Sequence, residues 1–240
     1  MIYPPYLQGS IKDKKNPRGQ AANARIHVGK KILITEDIRQ FFPSVRRAVI
    51  FDIWQRFFRF PPEVAECLTK LTTKDGTLPQ GAKTSSLLAN LVFWEDEWRL
   101  AADLHEHGIA YSRLTDDITC SSHVELSPAV LTSCIGRIRT LCERKGLHLK
   151  RQKQTIARSE TQMITTKLLV NVKTSLPQGQ RSEIRAAVKV LARTPASARD
   201  TIQFEKGYRR ASGQVAYLKQ HHPTEAAQLR IMLQSARPNS

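Results

Sequence analysis

Three acidic residues are spaced so that their carboxylates could meet. Asp37 ends the run Lys31-Ile-Leu-Ile-Thr-Glu-Asp37, a short β-branched stretch that reads as a buried strand. Asp116 and Asp117 lie together between Ile109-Ala-Tyr-Ser-Arg-Leu114 and Ile118-Thr-Cys-Ser-Ser122, two strand-like runs around an acidic turn, which is the pattern of a hairpin. If strand and hairpin pair side by side, three carboxylates meet at one sheet edge. That is a hard oxygen donor set for magnesium, and two such ions about 4 Å apart clamp the attacking and leaving oxygens of an in-line displacement at phosphorus. Taken alone, an Asp-Asp turn is an ordinary turn, because acids favour turns for backbone reasons.

The elements that must hold these groups follow in chain order. Residues 1–30 are loop-like, interrupted by Pro4, Pro5, Gly9, Pro17, Gly19 and Gly29. Pro43 opens a helix with Val45, Val49, Ile53 and Phe57 as its apolar stripe. Pro61-Pro62 ends it and starts another, with Val64, Leu68 and Leu71 facing in. Residues 76–81 form a turn, and Leu87, Leu91, Trp94, Trp98 and Ala101 mark one long helix closed by Gly108. Beyond the hairpin, Ser127 caps and Pro128 opens a helix whose inner stripe is Leu131, Cys134/Ile135, Ile138 and Leu141/Cys142. Residues 163–172 read as a strand, and 181–236 as helices punctuated by Pro195, Gly207, Gly213 and Pro223. This order argues an α+β core followed by an all-helical lobe.

Composition narrows the partner. The 240 residues carry 38 Lys and Arg against 21 Asp and Glu, a net charge of +17, which attracts polyanions. The charge is concentrated at +6 on residues 1–31, +7 on 137–158 and +7 on 181–240, leaving the rest at −3. A near-neutral centre flanked by basic segments suits a catalytic core with nucleic acid held around it. Each basic segment by itself also reads as a solvated face. No apolar span or basic amphipathic helix suggests a membrane partner. Cys67, Cys120, Cys134 and Cys142 lack C-x-x-C spacing and no export signal precedes them, so the expected location is a reducing cytoplasm without disulfides or structural zinc. Glu36 precedes Asp37 and is expected to face the other side of its strand.

Four segments, in order, resemble motifs of bacterial reverse transcriptases of the retron, group II intron and antiphage-defence kinds. Ile32-Leu-Ile-Thr-Glu-Asp37-Ile-Arg-Gln-Phe-Phe42-Pro-Ser-Val45 is similar to motif A, and Leu78-Pro-Gln-Gly-Ala-Lys-Thr-Ser-Ser-Leu-Leu-Ala-Asn90-Leu to motif B. Tyr111-Ser-Arg-Leu-Thr-Asp-Asp117-Ile-Thr-x-Ser resembles motif C, and Gly146-Leu-His-Leu-Lys-Arg-Gln-Lys153-Gln-Thr motif D. Leu114 stands where motif C usually has an aromatic, and Lys83 and Ser86 replace prolines of motif B. Thr165-Thr-Lys-Leu-Leu-Val-Asn171 partly resembles the retron segment Val-Thr-Gly-Leu-Val-Val-Asn, with Lys167 on the Gly.

The resemblance implies an α+β polymerase palm with reduced fingers (residues 1–30), a catalytic palm (31–176) and a C-terminal helical thumb (177–240). It implies an RNA-directed DNA polymerase using two Mg2+, with Mn2+ able to substitute, an RNA template, a DNA or RNA primer and dNTPs. A role in antiphage defence with a non-coding RNA follows from the same likeness, and the short region before motif A implies minimal fingers or a second protein supplying them. Asp37, Asp116 and Asp117 are the implied metal ligands. Ile38, Phe42, Gln80, Gly81 and Lys153 are the implied nucleotide contacts, Phe42 being the side chain that a ribose 2′-hydroxyl would strike and Lys153 the group near the leaving pyrophosphate. By composition alone Phe42 is a core aromatic, and Lys150 competes with Lys153 in a basic loop. Arg18 and Lys12 are the implied contacts to the triphosphate from the fingers side, and Arg18, with Arg209 and Arg210 on the thumb, is an expected nucleic-acid contact. Two other readings stay open: a catalytically silent RNA-binding subunit and a template-independent nucleotidyltransferase.

Overall fold

The computed structural model describes residues 3–237, so residues 1–2 of the expected fingers and 238–240 of the expected thumb lie outside the described residues. The chain divides into two compact units, Met1–Thr166 with Val170–Lys173, and Lys167–Leu169 with Thr174–Ser240.

The first unit begins with an extended segment and α1 (Gln20–Ile26), then β1 (Ile32–Asp37). Four helices follow: α2 (Phe41–Ser44), α3 (Arg47–Asp52), which continues through a π-helical turn at Ile53–Phe57, α4 (Pro62–Thr72) and α5 (Ser85–Leu91). Then come α6 (Glu97–Glu106), the hairpin β2 (Ile109–Leu114) and β3 (Asp117–Ser122), α7 (Pro128–Glu143), β4 (Thr155–Arg158) and β5 (Ile164–Thr165). The sheet is antiparallel in the order β2-β3-β1-β4, so the strand ending in Asp37 lies directly beside the strand beginning with Asp117. Ile32, Leu33 and Ile34 are buried on both faces of this central strand. Each such side chain withdrawn from water contributes about 1.5–3 kcal/mol before entropy is counted. The helix α7 forms as its sequence dictates: the Ser127 hydroxyl accepts from the Val130 amide, Pro128 stands first, and Leu131, Cys134, Ile138, Leu141 and Cys142 are buried.

The helices of this unit depart from the sequence pattern in ways that have causes. Residues 20–26 are helical, bounded by Gly19 and Gly29, both at positive φ. Pro43 lies inside a single turn and opens no long helix, because the Leu78 amide donates to the Val45 carbonyl and the Arg47 amide to the Gly76 carbonyl, drawing residues 45–46 out of the helix. On α4 the buried residues are Ala65, Thr69 and Thr72, while Val64 and Leu71 face out, Leu71 being 76% exposed. The Thr69 and Thr72 hydroxyls donate to the carbonyls four residues back, at 2.7 and 2.6 Å, so they enter the core without losing a hydrogen bond. The expected long helix closed by Gly108 is broken at residues 92–96, which turns Glu97 into the core and leaves Trp98 52% exposed.

In the second unit, β6 (Leu168–Leu169) precedes α8 (Gln178–Arg193), α9 (Ile202–Lys219) and α10 (Pro223–Gln234), which pack on one another. The strand expected over 163–172 is interrupted because Thr166 and Lys167 take positive φ. Ile184, Val188, Phe204, Val215, Leu229 and Leu233 are buried in this unit. Gly207 and Gly213 lie within α9 and do not punctuate it. Glu225 on α10 takes hydrogen bonds from Arg181 and Arg185 on α8, tying those two helices together. Among the described residues no helix is long and apolar enough to cross a membrane.

Candidate active site

Register builds the acidic end of the sheet. Asp37, last in β1, lies opposite Asp117, first in β3. Asp116 sits in the two-residue turn between β2 and β3, where Thr115 takes a left-handed φ of 62° so that the chain can reverse. The Ile38 amide donates to the Asp116 carbonyl at 3.0 Å, which continues the β1–β3 ladder past its last strand pair and holds the turn beside Asp37. On the other side of β1, the Lys150 amide donates to the Asp37 carbonyl at 2.7 Å and the Arg39 amide to the His148 carbonyl at 2.8 Å. Residues 148–150 are thereby held along the same strand end, and a 3-10 turn at Arg151–Lys153 brings the next lysine over it.

That lysine is Lys153, whose Nζ donates to Asp37 Oδ2 at 2.6 Å. The hydrogen bond raises the ammonium above its ordinary pKa. Burial raises the Asp116 carboxyl, and the Asp37 charge raises it further, against the opposing pull of its backbone hydrogen bond and of Lys153. Glu36 faces away from these groups: it is buried, accepts from Gln154 Nε2 at 2.7 Å, and burial pushes its carboxyl up to about 7. Among the described residues no three His, Cys, Asp or Glu side chains stand as a ready metal cage.

A cleft of about 990 Å³ opens at this sheet end, lined by Asp37, Ile38, Phe42, Gln80, Asp116 and Lys153 among others. Phe42 is half-buried, edge-on to Phe41 at 5.7 Å between ring centroids, and one side of it forms the cleft wall. Gln80 is exposed on the rim, and Gly81 next to it holds φ 89° over open space, a backbone state that suits glycine. Ile38 contributes to the wall, although its side chain is almost wholly in the core and its amide is taken by Asp116. Arg39, Lys150 and Arg151 also line the cleft, and their side of it is strongly basic.

Four of the expected contacts are not among the residues that line the cleft. Arg18 spends its guanidinium on the carbonyls of Tyr3, Pro4 and Leu7 and lies 3.8 Å from Asp13, folding the N-terminal segment on itself. Arg209 and Arg210 are exposed on α9 of the second unit, and Arg209 is paired with Glu205 one turn earlier at 2.5 Å. Lys12 is exposed and does not line the cleft. Sequence reasoning passed over Arg113 and Glu97, a wholly buried ion pair directly behind the Asp116 turn. An arginine amid the apolar alternation of β2 was the available signal.

An antiparallel sheet with helices packed around it and aspartates at one end of its central strands has the α+β architecture of a reverse-transcriptase-like palm. By sequence the chain resembles bacterial retron reverse transcriptases. It is 34% identical over 242 residues to the retron Se72 reverse transcriptase of Salmonella heidelberg, a match covering 98% of this chain and 62% of that protein. It is 25% identical over 248 residues to the retron Ec48 reverse transcriptase of Escherichia coli, covering 99% of this chain and 60% of that protein. The chain thus spans about three fifths of the length of these relatives. Among solved structures, apo telomerase from Candida tropicalis superposes with a TM-score of 0.50 at 9% identity, covering 87% of this chain and 42% of that one, a likeness of fold. No family model matches.

Proposed function

We propose that this chain is an RNA-directed DNA polymerase that extends a primer with dNTPs. The observation that carries the proposal is the register of Asp37 with Asp117, which sets those carboxylates and Asp116 at one sheet end beside a cleft lined by Phe42, Gln80 and Lys153. The donor set suits hard divalent ions: only oxygen ligands, crowded enough that Asp37 raises the Asp116 carboxyl, and already attracting the Lys153 ammonium. Asp37 and Asp116 would hold two Mg2+, or Mn2+ in their place, with Asp117 completing the acidic cluster. Bound there, the ions would supply electrostatic stabilisation of charge on the transferring phosphoryl group.

The protein's own groups do the rest. Gln80 and Gly81 lie against the incoming nucleotide, and Gly81 lets backbone approach closely. Phe42 excludes a 2′-hydroxyl. Lys153, once released from Asp37, neutralises or protonates the departing pyrophosphate. Residues 1–30 act as the N-terminal fingers segment, 31–176 as palm and 177–240 as thumb. The basic segments hold an RNA template with its DNA or RNA primer, and the likeness to retron reverse transcriptases supports a non-coding RNA as the template and antiphage defence as the role.

The test is to purify the full chain, sequence the nucleic acid that comes with it, and ask whether that nucleic acid is extended with dNTPs and Mg2+. Extension copying an RNA supports the proposal. Extension that ignores the template marks a template-independent transferase, and RNA binding with no extension marks a silent subunit.

A further inference from the structure

Behind the acidic turn, one side chain collects contacts from three stretches of the chain. Arg113 is fully buried and all five of its guanidinium N–H groups find acceptors. Nε donates to Glu97 Oε1 at 2.6 Å and Nη2 to Glu97 Oε2 at 2.8 Å, a bidentate pair. Nη2 also donates to the Asn90 carbonyl at 3.0 Å, and Nη1 to the carbonyls of Ala89 at 3.3 Å and Thr115 at 3.0 Å. Ala89 and Asn90 close the segment that begins at Leu78 and carries Gln80, whereas Thr115 is the turn residue immediately before Asp116. Thr115 holds a left-handed conformation that a β-branched residue disfavours, and the hydrogen bond to its carbonyl helps to hold it there.

The other side of the turn is closed as tightly. The Gly9 carbonyl accepts from Asn90 Nδ2 at 2.7 Å, and a Cβ on Gly9 would lie 2.5 Å from Thr115 Oγ1 and 2.8 Å from the Thr115 amide nitrogen. The strand carrying Arg113 is fixed as well, its amide donating to the Tyr6 carbonyl at 2.9 Å and its carbonyl accepting from the Gln8 amide at 2.8 Å.

We infer that Arg113, held by Glu97 and backed by Gly9, is a positioning residue that fixes the Asp116 turn in the geometry needed to ligate metal. Resting on the polymerase reading above, this assigns Arg113 a role beyond packing. A buried ion pair can usually be replaced by apolar groups at little cost to stability, so stability alone does not call for one here. Apolar side chains cannot bind three backbone carbonyls on two segments. Lysine keeps the charge but offers a compact ammonium in place of the planar fork, and it cannot reach all of these acceptors together. The inference therefore separates charge from geometry.

The experiment uses the full chain as wild type, Arg113→Lys and Gly9→Ala, with thermal melts and circular dichroism to establish folding. Mn2+ binding is titrated by electron paramagnetic resonance without nucleotide, and the Mg2+ midpoint of dNTP incorporation is measured alongside. Groups that orient metal ligands typically change metal affinity by about 10- to 100-fold when altered, and a weakening of that size is expected in both folded variants. The Mg2+ midpoint should rise in parallel, with kcat falling more than dNTP KM changes. Wild-type Mn2+ affinity in either folded variant overturns the inference, and so does loss of the fold in both, which would make the network structural only. If Arg113→Lys alone fails to fold, Gly9→Ala decides. Failure of the wild type to incorporate dNTPs overturns the polymerase reading instead, while the Mn2+ titration still judges the positioning role.

Discussion

Lys153 places its ammonium 2.6 Å from Asp37 Oδ2, so a carboxylate proposed to bind a divalent ion also holds a lysine cation. The lysine side chain is 54% exposed and anchored by a short 3-10 turn, so it can move away without disturbing the core. On the proposed function, lysine and metal would compete for one carboxylate, and a lysine displaced by metal would be free to meet the triphosphate. Lys153→Met should bind Mn2+ more tightly than wild type in the absence of nucleotide, yet extend primers more slowly by about 100-fold or more, the usual size of a proton-transfer contribution. Titrating Mn2+ and timing single-nucleotide addition on the same preparation checks both directions. Lys150→Met is the comparison, because Lys150 binds Asp37 through its amide and the variant keeps that bond.

Removing a carboxylate should be far more severe. Asp37→Ala, Asp116→Ala and Asp117→Ala are each expected to abolish Mg2+-dependent dNTP incorporation while remaining folded and retaining RNA binding, since the three carboxylates sit at a sheet end outside the apolar core cluster. Undiminished synthesis in the variants would remove the acidic cluster from catalysis.

Phe42 is held edge-on to Phe41 with one side on the cleft, which limits how far it can yield to a bulkier sugar. Phe42→Ala should raise incorporation of ribonucleotides relative to deoxyribonucleotides, read as the ratio of kcat/KM values on one template. An unchanged ratio in a folded variant would make Phe42 a packing residue only.

His27 links the fold to pH. It is fully buried between Ser112 and Ser121, with a ring nitrogen 2.7 Å from each hydroxyl, and burial pushes its pKa down to about 3, assisted by Lys30. A base whose folded pKa lies below its unfolded value near 6.5 adds stability above that value and loses it as pH falls towards 3. Linkage puts the loss at about 2 kcal/mol by pH 5. Urea melts at pH 8 and pH 5 should show this loss in wild type, and His27→Gln, which can still bond both serines but does not titrate, should reduce it.

How much of this was legible beforehand depended on how local each signal was. The strand end at Asp37 and the turn at Asp116 and Asp117 could be placed because strand ends and turns are written in short stretches, and the pairing of one strand with one hairpin sets Asp37 opposite Asp117. The face of α4 was misread because Thr69 and Thr72 hide their hydroxyls on carbonyls four residues back and pass as apolar. The break between α5 and α6 follows from a partner for Glu97 sixteen residues away, which no periodicity carries. The edge strand β4 lies largely exposed and shows no alternation. Arg18 looked like one more basic residue for nucleic acid, whereas carbonyls of its own segment satisfy it. Lys153 was implied by the resemblance with Lys150 competing, and the 3-10 turn at residues 151–153, which no local pattern announces, is what carries Lys153 over Asp37.

The last prediction concerns the helical second unit, whose exposed arginines are proposed to grip a template–primer duplex. Arg209 and Arg210 both face solvent on α9, and they differ in one respect: Arg209 is paired with Glu205 one turn away. Exposed pairs of this kind are worth only about 0.2–1 kcal/mol, so Arg209 can leave Glu205 for a phosphate at little cost. Each phosphate neutralised on a duplex releases condensed counterion and contributes roughly −0.9 to the slope of log K against log salt. Replacing both arginines with Ala should therefore weaken duplex binding at low salt, with little dependence on sequence, and flatten the slope by about 1 to 2 units. Arg210→Ala alone should account for about one unit of that change, and Glu205→Gln should leave the slope within about half a unit of wild type, because it removes a competitor and not a contact. Salt titrations of affinity for the four proteins measure all of this directly. Parallel lines with equal intercepts for wild type and the double variant would assign the grip to the basic residues at 1–31 or 137–158 instead.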